Sequence, residues 1–257
     1  MEFIDSHCHV YLEEFDSDRT DVIKKAQDLG VNKLILPNVD SITLPRLNET
    51  CAAFPNVCKA LIGLHPTSVN LDYKKELAVV ENELAFNGSK YIGIGEIGID
   101  LYWDKTYYKE QVDAFITQLN IADSLNLPVA IHVRNSFDET FEALTKSGIK
   151  TFKGVFHCFS GNIEQAKRAI DLGFKLGIGG TVTFKNSGID FVVSEIDLQH
   201  IILETDSPYL APTPFRGKRN EPSYLVNVAQ KIADSKGLNI EEVAKATTNN
   251  CRILLGL

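Results

Sequence analysis

The sequence predicts an α/β protein, a (β/α)8 barrel of the TIM type with an extra C-terminal helix, built as a single domain over residues 1–257. Two observations indicate this fold. Eight short apolar segments rich in β-branched residues recur along the chain. Helix-length segments with apolar residues at 3.6-residue spacing lie between them. Eight strands that alternate with helices in about 250 residues are typical of such a barrel.

The predicted strands are nearly continuous apolar runs, as expected for strands buried on both faces. They are Phe3–Cys8, Lys33–Val39, Lys59–His65, Tyr91–Ile97, Pro128–Val133, Gly154–Phe159, Phe174–Ile178 and Ile201–Thr205. The clearest helices between and after them are Glu110–Leu125, Ile163–Leu172, Pro222–Lys236 and Ile240–Leu255. A doubly wound open sheet is the alternative, because the run Gly93–Gly98 has the spacing of a dinucleotide-binding loop. That run lies at a strand end and opens no helix, so the barrel is favoured.

The overall composition excludes some classes of function and keeps others. The net charge is −8 and the pI is near 5.3, which argues against a general nucleic-acid coat protein. An enzyme that acts on phosphates remains compatible, because bound divalent cations invert the local charge of an acidic pocket. The chain has no run of eighteen apolar residues, so we expect no membrane span. Five scattered cysteines indicate a reducing cytoplasm without disulfides, and a cytoplasmic monomer is favoured.

Titratable residues fall at the carboxyl ends of the predicted strands. Five of the six histidines lie there, joined by carboxylates. In a barrel these ends converge on one mouth, where such enzymes carry their catalytic groups. We therefore expect one site that contains His7, His9, His65, Glu96, His132, His157 and Asp206.

A metal centre explains this set better than separate structural roles do. Imidazoles and carboxylates bind divalent cations, and the set exceeds what one tetrahedral zinc ion needs. Glu96 is expected to bridge two cations, and Asp206 is expected to hold and deprotonate the attacking water. His65 is expected to contact substrate phosphate. Asp5 and Glu204 are either ligands, carboxylates that support ligands, or buried carboxylates held by a neighbour, and the supporting role is favoured for both. The predicted cofactors are two ions of Mg²⁺, Mn²⁺ or Zn²⁺, and the predicted ligands are His7, His9, Glu96, His132, His157 and Asp206.

With these residues assembled, the chain resembles the TatD family of metal-dependent deoxyribonucleases in the amidohydrolase superfamily. The resemblance runs from end to end and rests on the segments Asp5–His9, Gly63–Pro66, Gly95–Asp100, Pro128–Arg134, His157–Gly161, Glu204–Tyr209, Ala211–Pro222 and Thr248–Arg252. It implies a TIM-type barrel with a two-metal centre and places the ligands at the same six positions. Many superfamily members bridge their metals with a carboxylated lysine. Glu96 ends the fourth strand here, which favours the TatD branch.

Basic side chains near the mouth indicate a phosphate substrate. Arg216, Lys218 and Arg219 lie in a proline-rich loop after the eighth strand, where barrels often bind phosphate and where cations can hold a phosphodiester backbone. Arg134 is expected to reach the same phosphate. Three aromatic residues either stack with unpaired bases or only pack the loops: Tyr102, Trp103 and Phe215.

The predicted activity is divalent-metal-dependent cleavage of DNA, in which a metal-bound hydroxide attacks phosphorus in line. The acidic net charge favours a small footprint such as a strand end. The resemblance therefore implies a 3′–5′ exodeoxyribonuclease that prefers single-stranded or frayed ends. One alternative is a D-aminoacyl-tRNA deacylase, or another ester or amide hydrolase of the same fold, with RNA or tRNA as substrate. The other is a non-catalytic sugar- or nucleotide-binding barrel.

Overall fold

Eight parallel strands form one sheet that curves into a barrel. The computed structural model describes residues 1–257, and its strands neighbour one another in chain order. Every hydrogen-bonded pair is parallel, so the predicted barrel is confirmed. The strands are β1 (Phe3–Asp5), β2 (Val31–Pro37), β3 (Cys58–Ile62), β4 (Tyr91–Asp100), β5 (Val129–Arg134), β6 (Gly154–Phe156), β7 (Phe174–Ile178) and β8 (Ile201–Leu203).

Nine α-helices accompany the strands, and the ninth is the extra C-terminal helix that the sequence predicts. No helix has both the length and the apolar character that a membrane crossing requires. The helices are α1 (Arg19–Asp28), α2 (Leu44–Ala53), α3 (Tyr73–Asn87), α4 (Tyr108–Leu125), α5 (Phe137–Lys146), α6 (Ile163–Asp171), α7 (Ile189–Glu195), α8 (Leu225–Lys236) and α9 (Ile240–Leu255).

Local sequence sets the helix boundaries. Asn162 and Gln165 form a capping box at the start of α6, and Asn239 and Glu242 form another at the start of α9. Each box satisfies two backbone N–H groups that a helix start otherwise leaves without partners. Gly237 ends α8 in the left-handed conformation that glycine adopts without a steric penalty. The predicted bounds of α9 therefore agree with the structure.

Several strands are shorter than predicted. β1 ends at Asp5 and β6 ends at Phe156, so His7, His9 and His157 lie in the loops just beyond their strands. The predicted ends of these two strands, at Cys8 and Phe159, are therefore wrong, although the three histidines remain at the predicted end of the barrel. The run Gly93–Gly98 lies wholly inside β4, which removes the dinucleotide-loop alternative.

The barrel closes where β8 meets β1. Ser6 N–H donates to the Leu203 carbonyl at 2.9 Å, and Asp206 N–H donates to the His7 carbonyl at 2.9 Å. The buried Asp5 carboxylate accepts hydrogen bonds from Thr205, at 2.9 Å from its backbone N–H and at 2.5 Å from its hydroxyl. This seam brings residues from the two ends of the sheet into register.

The lower half of the barrel is filled with apolar side chains. One buried cluster draws a residue from each of six strands and two more from α9: Ile4, Ile35, Leu61, Ala130, Val155, Ile202, Cys251 and Leu254. Helix α9 is fixed there because Thr248 donates to the Glu2 carbonyl at 2.9 Å and Asn250 donates to the Ile201 carbonyl at 2.8 Å. Polar groups are left to occupy the opposite end, at the carboxyl termini of the strands.

Two buried glutamines of α4 hold loops at that end. Gln118 accepts from Leu64 N–H at 2.7 Å and donates to the Leu64 carbonyl at 3.3 Å. Gln111 makes the same pair of contacts with Asp100, at 2.9 and 3.2 Å. Such bonds satisfy the polar groups of both partners inside the protein. They fix the backbone beside His65 and at the end of β4.

Candidate metal centre

The polar residues predicted at the strand ends converge on the mouth of the barrel. Residues from this set line a cavity of about 580 Å³, together with Trp103 and Arg134. His7, His9 and Glu96 are almost completely buried. The members that the structure brings together are His7, His9, His65, Glu96, His132, His157 and Asp206.

Glu96 lies at the centre and presents one oxygen to each side. Its Oε2 atom lies 3.1 Å from His7 Nε2 and 3.6 Å from His9 Nε2. Its Oε1 atom lies 2.7 Å from His132 Nδ1 and 3.3 Å from His157 Nε2. Burial acts to raise the pKa of Glu96, but the surrounding imidazoles outweigh burial and hold it well below its usual range. Glu96 is therefore a carboxylate with donor atoms on both sides.

Tyr11 sets the tautomer of His9. The Tyr11 hydroxyl donates to the Pro37 carbonyl at 2.7 Å, and burial raises the pKa of Tyr11 so that it keeps its proton. Its oxygen lies 3.1 Å from His9 Nδ1 and must accept there, because its one proton is already used. His9 thus carries its proton on Nδ1, and Nε2 faces the centre with a free lone pair.

Carboxylates orient the two histidines on the other side. Asp100 Oδ2 lies 2.9 Å from His132 Nε2, which holds a proton on that nitrogen and turns Nδ1 toward Glu96. Glu204 Oε1 forms an ion pair with His157 Nδ1 at 3.1 Å. Burial acts to lower the pKa of His157, but Glu204 and Glu96 raise it to about 10. Carboxylates in this position behind a histidine fix its ring and strengthen it as a ligand.

Gly177 makes room for Glu204. A Cβ atom at position 177 would lie 2.1 Å from Glu204 Oε2, a distance that no side chain tolerates. Glu204 Oε1 also accepts from Cys158 N–H at 2.6 Å. The carboxylate is therefore fixed between β7 and the loop that carries His157.

His65 is the tautomer that carries its proton on the nitrogen facing the centre. Its Nδ1 atom accepts from Thr67 N–H at 3.1 Å, so the neutral ring carries its proton on Nε2. That nitrogen lies 3.2 Å from Glu96 Oε1 and 3.3 Å from His132 Nδ1. The inner nitrogen of His65 is a hydrogen-bond donor, whereas that of His9 presents a free lone pair. This geometry favours substrate contact over metal ligation for His65.

Asp206 completes the side that holds His7 and His9. Its backbone is left-handed, with φ of 56°, a conformation that non-glycine residues adopt mainly under local constraint. Its Oδ1 atom lies 3.5 Å from His9 Nε2 and 3.9 Å from His7 Nε2. Burial acts to raise the pKa of Asp206, but His9 and the other imidazoles outweigh burial and lower it.

The spacing of these atoms fits a divalent cation. Ligands about 2.1 Å from a tetrahedral metal lie about 3.4 Å from one another. His7 Nε2 lies 3.2 Å from His9 Nε2 and 3.1 Å from Glu96 Oε2. Burial lowers the pKa of His7, which favours a neutral ring. Two imidazole nitrogens and a carboxylate oxygen at these distances form a donor set that a cation stabilises.

Comparison with known proteins identifies the family. The sequence matches the family described as TatD related DNase over residues 4–256. The chain belongs to the TatD family. It is 37% identical over 251 residues to the Bacillus subtilis protein named uncharacterized metal-dependent hydrolase YabD, covering 97% of each chain. It is 31% identical to the Pantoea ananatis protein named 3′-5′ ssDNA/RNA exonuclease TatD, covering 95% of each.

Solved structures agree with the family assignment. The crystal structure of the TatD homolog YJJV from Escherichia coli superposes with a TM-score of 0.92 at 30% identity, covering 99% of this chain and 98% of that one. The predicted family and the predicted class of enzyme are confirmed. The protein is a hydrolytic enzyme of the metal-dependent TatD family.

The basic residues of this TatD protein divide into two groups. Arg219 is held by Asp18 at 2.6 and 2.9 Å and by the Glu14 carbonyl at 2.6 Å, so it fastens its loop to the start of α1. Arg216 lies 3.6 Å above the ring of Phe184 and is exposed, as is Lys218. Of the three cations in the loop after β8 that are predicted to bind substrate, Arg216 and Lys218 therefore remain available for it.

Arg134 does not extend freely toward the centre. Its guanidinium lies 4.0 Å from the ring centre of Tyr102 and 5.2 Å from that of Trp103. Phe215, the third aromatic candidate, stacks on Tyr224 at 3.9 Å with nearly parallel rings. It therefore packs its loop, whereas the other two aromatic residues face solvent.

Sequence reasoning assigned no role to Tyr11 or Asp100. Tyr11 occurs two residues after His9, but no sequence pattern indicates that its hydroxyl lies beside the His9 ring. Asp100 follows Glu96 by four residues at the end of a strand, which is the signal that could have marked it. Asp5 and Glu204 each contact a predicted ligand from behind, which fits a supporting role. Asp5 accepts from His7 N–H at 3.3 Å, and Glu204 pairs with His157 at 3.1 Å.

Proposed function

We propose that this protein hydrolyses the phosphodiester bonds of nucleic acids, as a 3′–5′ exonuclease that prefers single-stranded or frayed ends of DNA. The observation that carries the proposal is the position of Glu96. Its Oε2 atom faces His7 and His9, whereas its Oε1 atom faces His132 and His157. A carboxylate shared in this way is typical of two-metal sites that catalyse in-line displacement at phosphorus. The printed name of the Pantoea ananatis relative supports a nucleic-acid substrate.

The donor atoms divide naturally between two cations of Mg²⁺, Mn²⁺ or Zn²⁺. His7, His9 and Asp206 would hold one, and His132 and His157 would hold the other, with Glu96 shared. Divalent cations in such a site supply a nucleophilic water at neutral pH and stabilise negative charge on the reacting phosphoryl group.

The side chains then have distinct tasks. Asp206, an ionised carboxylate beside His9, would accept the proton of the attacking water at Oδ1. His65 would donate its Nε2 proton to a phosphate oxygen, since its tautomer directs that proton into the cavity. Arg216 and Lys218 would contact the backbone farther along the strand, on the rim formed by the loop after β8. Phosphate contacts of this type position a strand without reading its sequence.

The shape and charge of the protein support action at an end. A net charge of −8 opposes extended coverage of a polyanion, and the two exposed cations proposed to hold the strand, Arg216 and Lys218, lie in one loop. The cavity of about 580 Å³ suits one or two nucleotides. A duplex would need to fray before its terminal phosphodiester reached Glu96 at the bottom of the cavity.

The test is cleavage of end-labelled single-stranded DNA by the purified protein, with and without Mg²⁺, Mn²⁺ or Zn²⁺. We expect metal-dependent release of mononucleotides from the 3′ end. Asp206→Asn should lower the rate by about 100-fold or more, in line with the loss of a positioned base. The matched control Asp123→Asn, an exposed carboxylate at the end of α4, should cleave like the parent.

Two results would overturn the proposal. One is the absence of metal-dependent cleavage of DNA and RNA across these metals. The other is an Asp206→Asn protein that cleaves as fast as the parent. Hydrolysis of a D-aminoacyl-tRNA by a protein that leaves oligonucleotides intact would assign the site to ester hydrolysis instead.

A further inference from the structure

A pair of exposed aromatic rings stands at the rim of the metal cavity. Tyr102 is 52% exposed and Trp103 is 69% exposed, in the loop that follows β4. Their ring centres are 4.9 Å apart and the rings are nearly perpendicular. A contiguous exposed aromatic patch beside a cavity is a feature of ligand sites, and Trp103 lines the cavity that contains Glu96 and His132.

The loop that carries these rings is held in place. Asp100 Oδ1 accepts from Tyr102 N–H at 2.9 Å and from Trp103 N–H at 3.2 Å. The other oxygen of the same carboxylate holds His132 at 2.9 Å. One side chain thus fixes both the aromatic loop and a predicted metal ligand. The backbone that carries the two rings is therefore held beside the metal centre.

Arg134 adds positive charge to the same surface. Its guanidinium covers Tyr102 at 4.0 Å and approaches Trp103 at 5.2 Å, which are distances of cation–π contact. Trp103 and Arg134 both line the cavity that contains Glu96 and His132. An aromatic face beside a cation, continuous with a phosphate-directed cavity, matches a nucleotide, which offers a flat base and a negative backbone.

We propose that Trp103, supported by Tyr102 and Arg134, is a stacking platform for an unpaired base of the nucleotide at the 3′ end of the strand. This inference rests on the proposed function and specifies the form of its substrate. Every base has a π-face, so the platform accepts any sequence. In a duplex the 3′-terminal base must first give up its pairing and its stacking on the inner neighbour to reach the platform, so the platform favours single strands.

The sequence provides a built-in probe, because Trp103 is the protein's one tryptophan. A base stacked on its indole quenches the intrinsic fluorescence, and no other tryptophan contributes signal. We would titrate the Asp206→Asn protein, which leaves the strand intact, with two twelve-nucleotide DNA strands in Mg²⁺. One strand carries thymine throughout, and the other carries tetrahydrofuran abasic residues at its three 3′ positions. We expect strong quenching with the first strand and none with the second.

Anisotropy of a 5′-fluorescein label gives the affinity of variants for the same two strands. In the Asp206→Asn background, Trp103→Ala should weaken binding of the thymine strand by about 5- to 150-fold, and Trp103→Phe should retain most of it. For the abasic strand, Trp103→Ala should add no further loss, because the stacking partner is already missing. Phe191→Ala, which removes an exposed ring on α7, should bind both strands like its parent.

The outcomes separate this inference from the function on which it rests. Equal quenching by the two strands, or equal losses for both strands on Trp103→Ala, would overturn the platform while cleavage by the parent upheld the nuclease. A parent that neither cleaves nor binds any strand would overturn both.

Discussion

Replacing Tyr11 by phenylalanine tests whether its hydroxyl prepares His9 as the proposed cation ligand. The change removes a single hydroxyl oxygen, which lies 3.1 Å from His9 Nδ1 and 2.7 Å from the Pro37 carbonyl. His9 is 3% exposed, so water cannot replace the lost acceptor. The ring must either keep a buried N–H without a partner or move its proton to Nε2, where it blocks the lone pair.

The size of the effect follows from either route. A buried donor left without a partner costs about 1–3 kcal/mol. Removing the group that orients a metal-binding histidine weakens metal affinity by about 10- to 100-fold, which corresponds to about 1.4–2.7 kcal/mol. The two ranges agree. We therefore expect the dissociation constant for Zn²⁺ or Mn²⁺ to rise by about 10- to 100-fold in Tyr11→Phe.

The assay is isothermal titration of the metal-free protein. Tyr91→Phe is the matched control, because its hydroxyl contacts Glu83 at 2.8 Å and Asn48 at 3.2 Å at the opposite end of the barrel. Nitrogen-15 NMR of the imidazoles reports the His9 tautomer directly. Metal affinity within twofold of the parent, with an unchanged tautomer, would refute the reasoning.

Three further predictions concern metal binding and the loops. Asp100→Asn should weaken metal binding by about 10- to 100-fold because it releases His132, and calorimetric titration should show no such change for the control Asp113→Asn. Metal at one hundred times its dissociation constant should raise the melting temperature by about 5–10 °C over the chelated protein, and an unchanged melting curve would argue against a bound cation. The Arg219 hydrogen bond lowers the pKa of Asp18 below its ordinary 3.8, so this ion pair stabilises the fold above that pH and is lost as the pH falls through the lower folded value. Asp18→Asn should therefore cost up to about 1 kcal/mol at pH 7 and progressively less as the pH falls through the lowered folded pKa; urea unfolding at pH 7 and in acid measures this, and a cost that stays the same in acid would contradict the sign.

The barrel and the location of the site were predictable because they depend on short-range patterns. Apolar runs with intervening helices specify parallel strands, and the carboxyl ends of parallel strands meet on one side. The side chains at those ends could therefore be assigned to one site from the sequence pattern alone. Strand bounds were less predictable: His7 and His157 lie past their strands, because backbone pairing ends where the loops turn inward.

The roles of individual polar groups depend on contacts between distant residues. Arg216 and Arg219 are equivalent in a basic run, yet one is free and the other is bound to Asp18, which is 201 residues away. Tyr11 resembles an ordinary core residue until its hydroxyl is seen beside His9. Asp100 acquires its two functions from the direction of a loop. No local pattern encodes these distances.

The seam between β8 and β1 also determines when, during synthesis, the proposed set of metal-binding side chains is complete. His7 and His9 leave the ribosome long before Asp206, so the Asp206 N–H bond to the His7 carbonyl forms only after β8 has been made. A nascent or prematurely terminated chain therefore holds two histidines without the carboxylate that faces them across the seam. Cation uptake must follow translation of β8. This order leaves incomplete chains without the full set of proposed ligands.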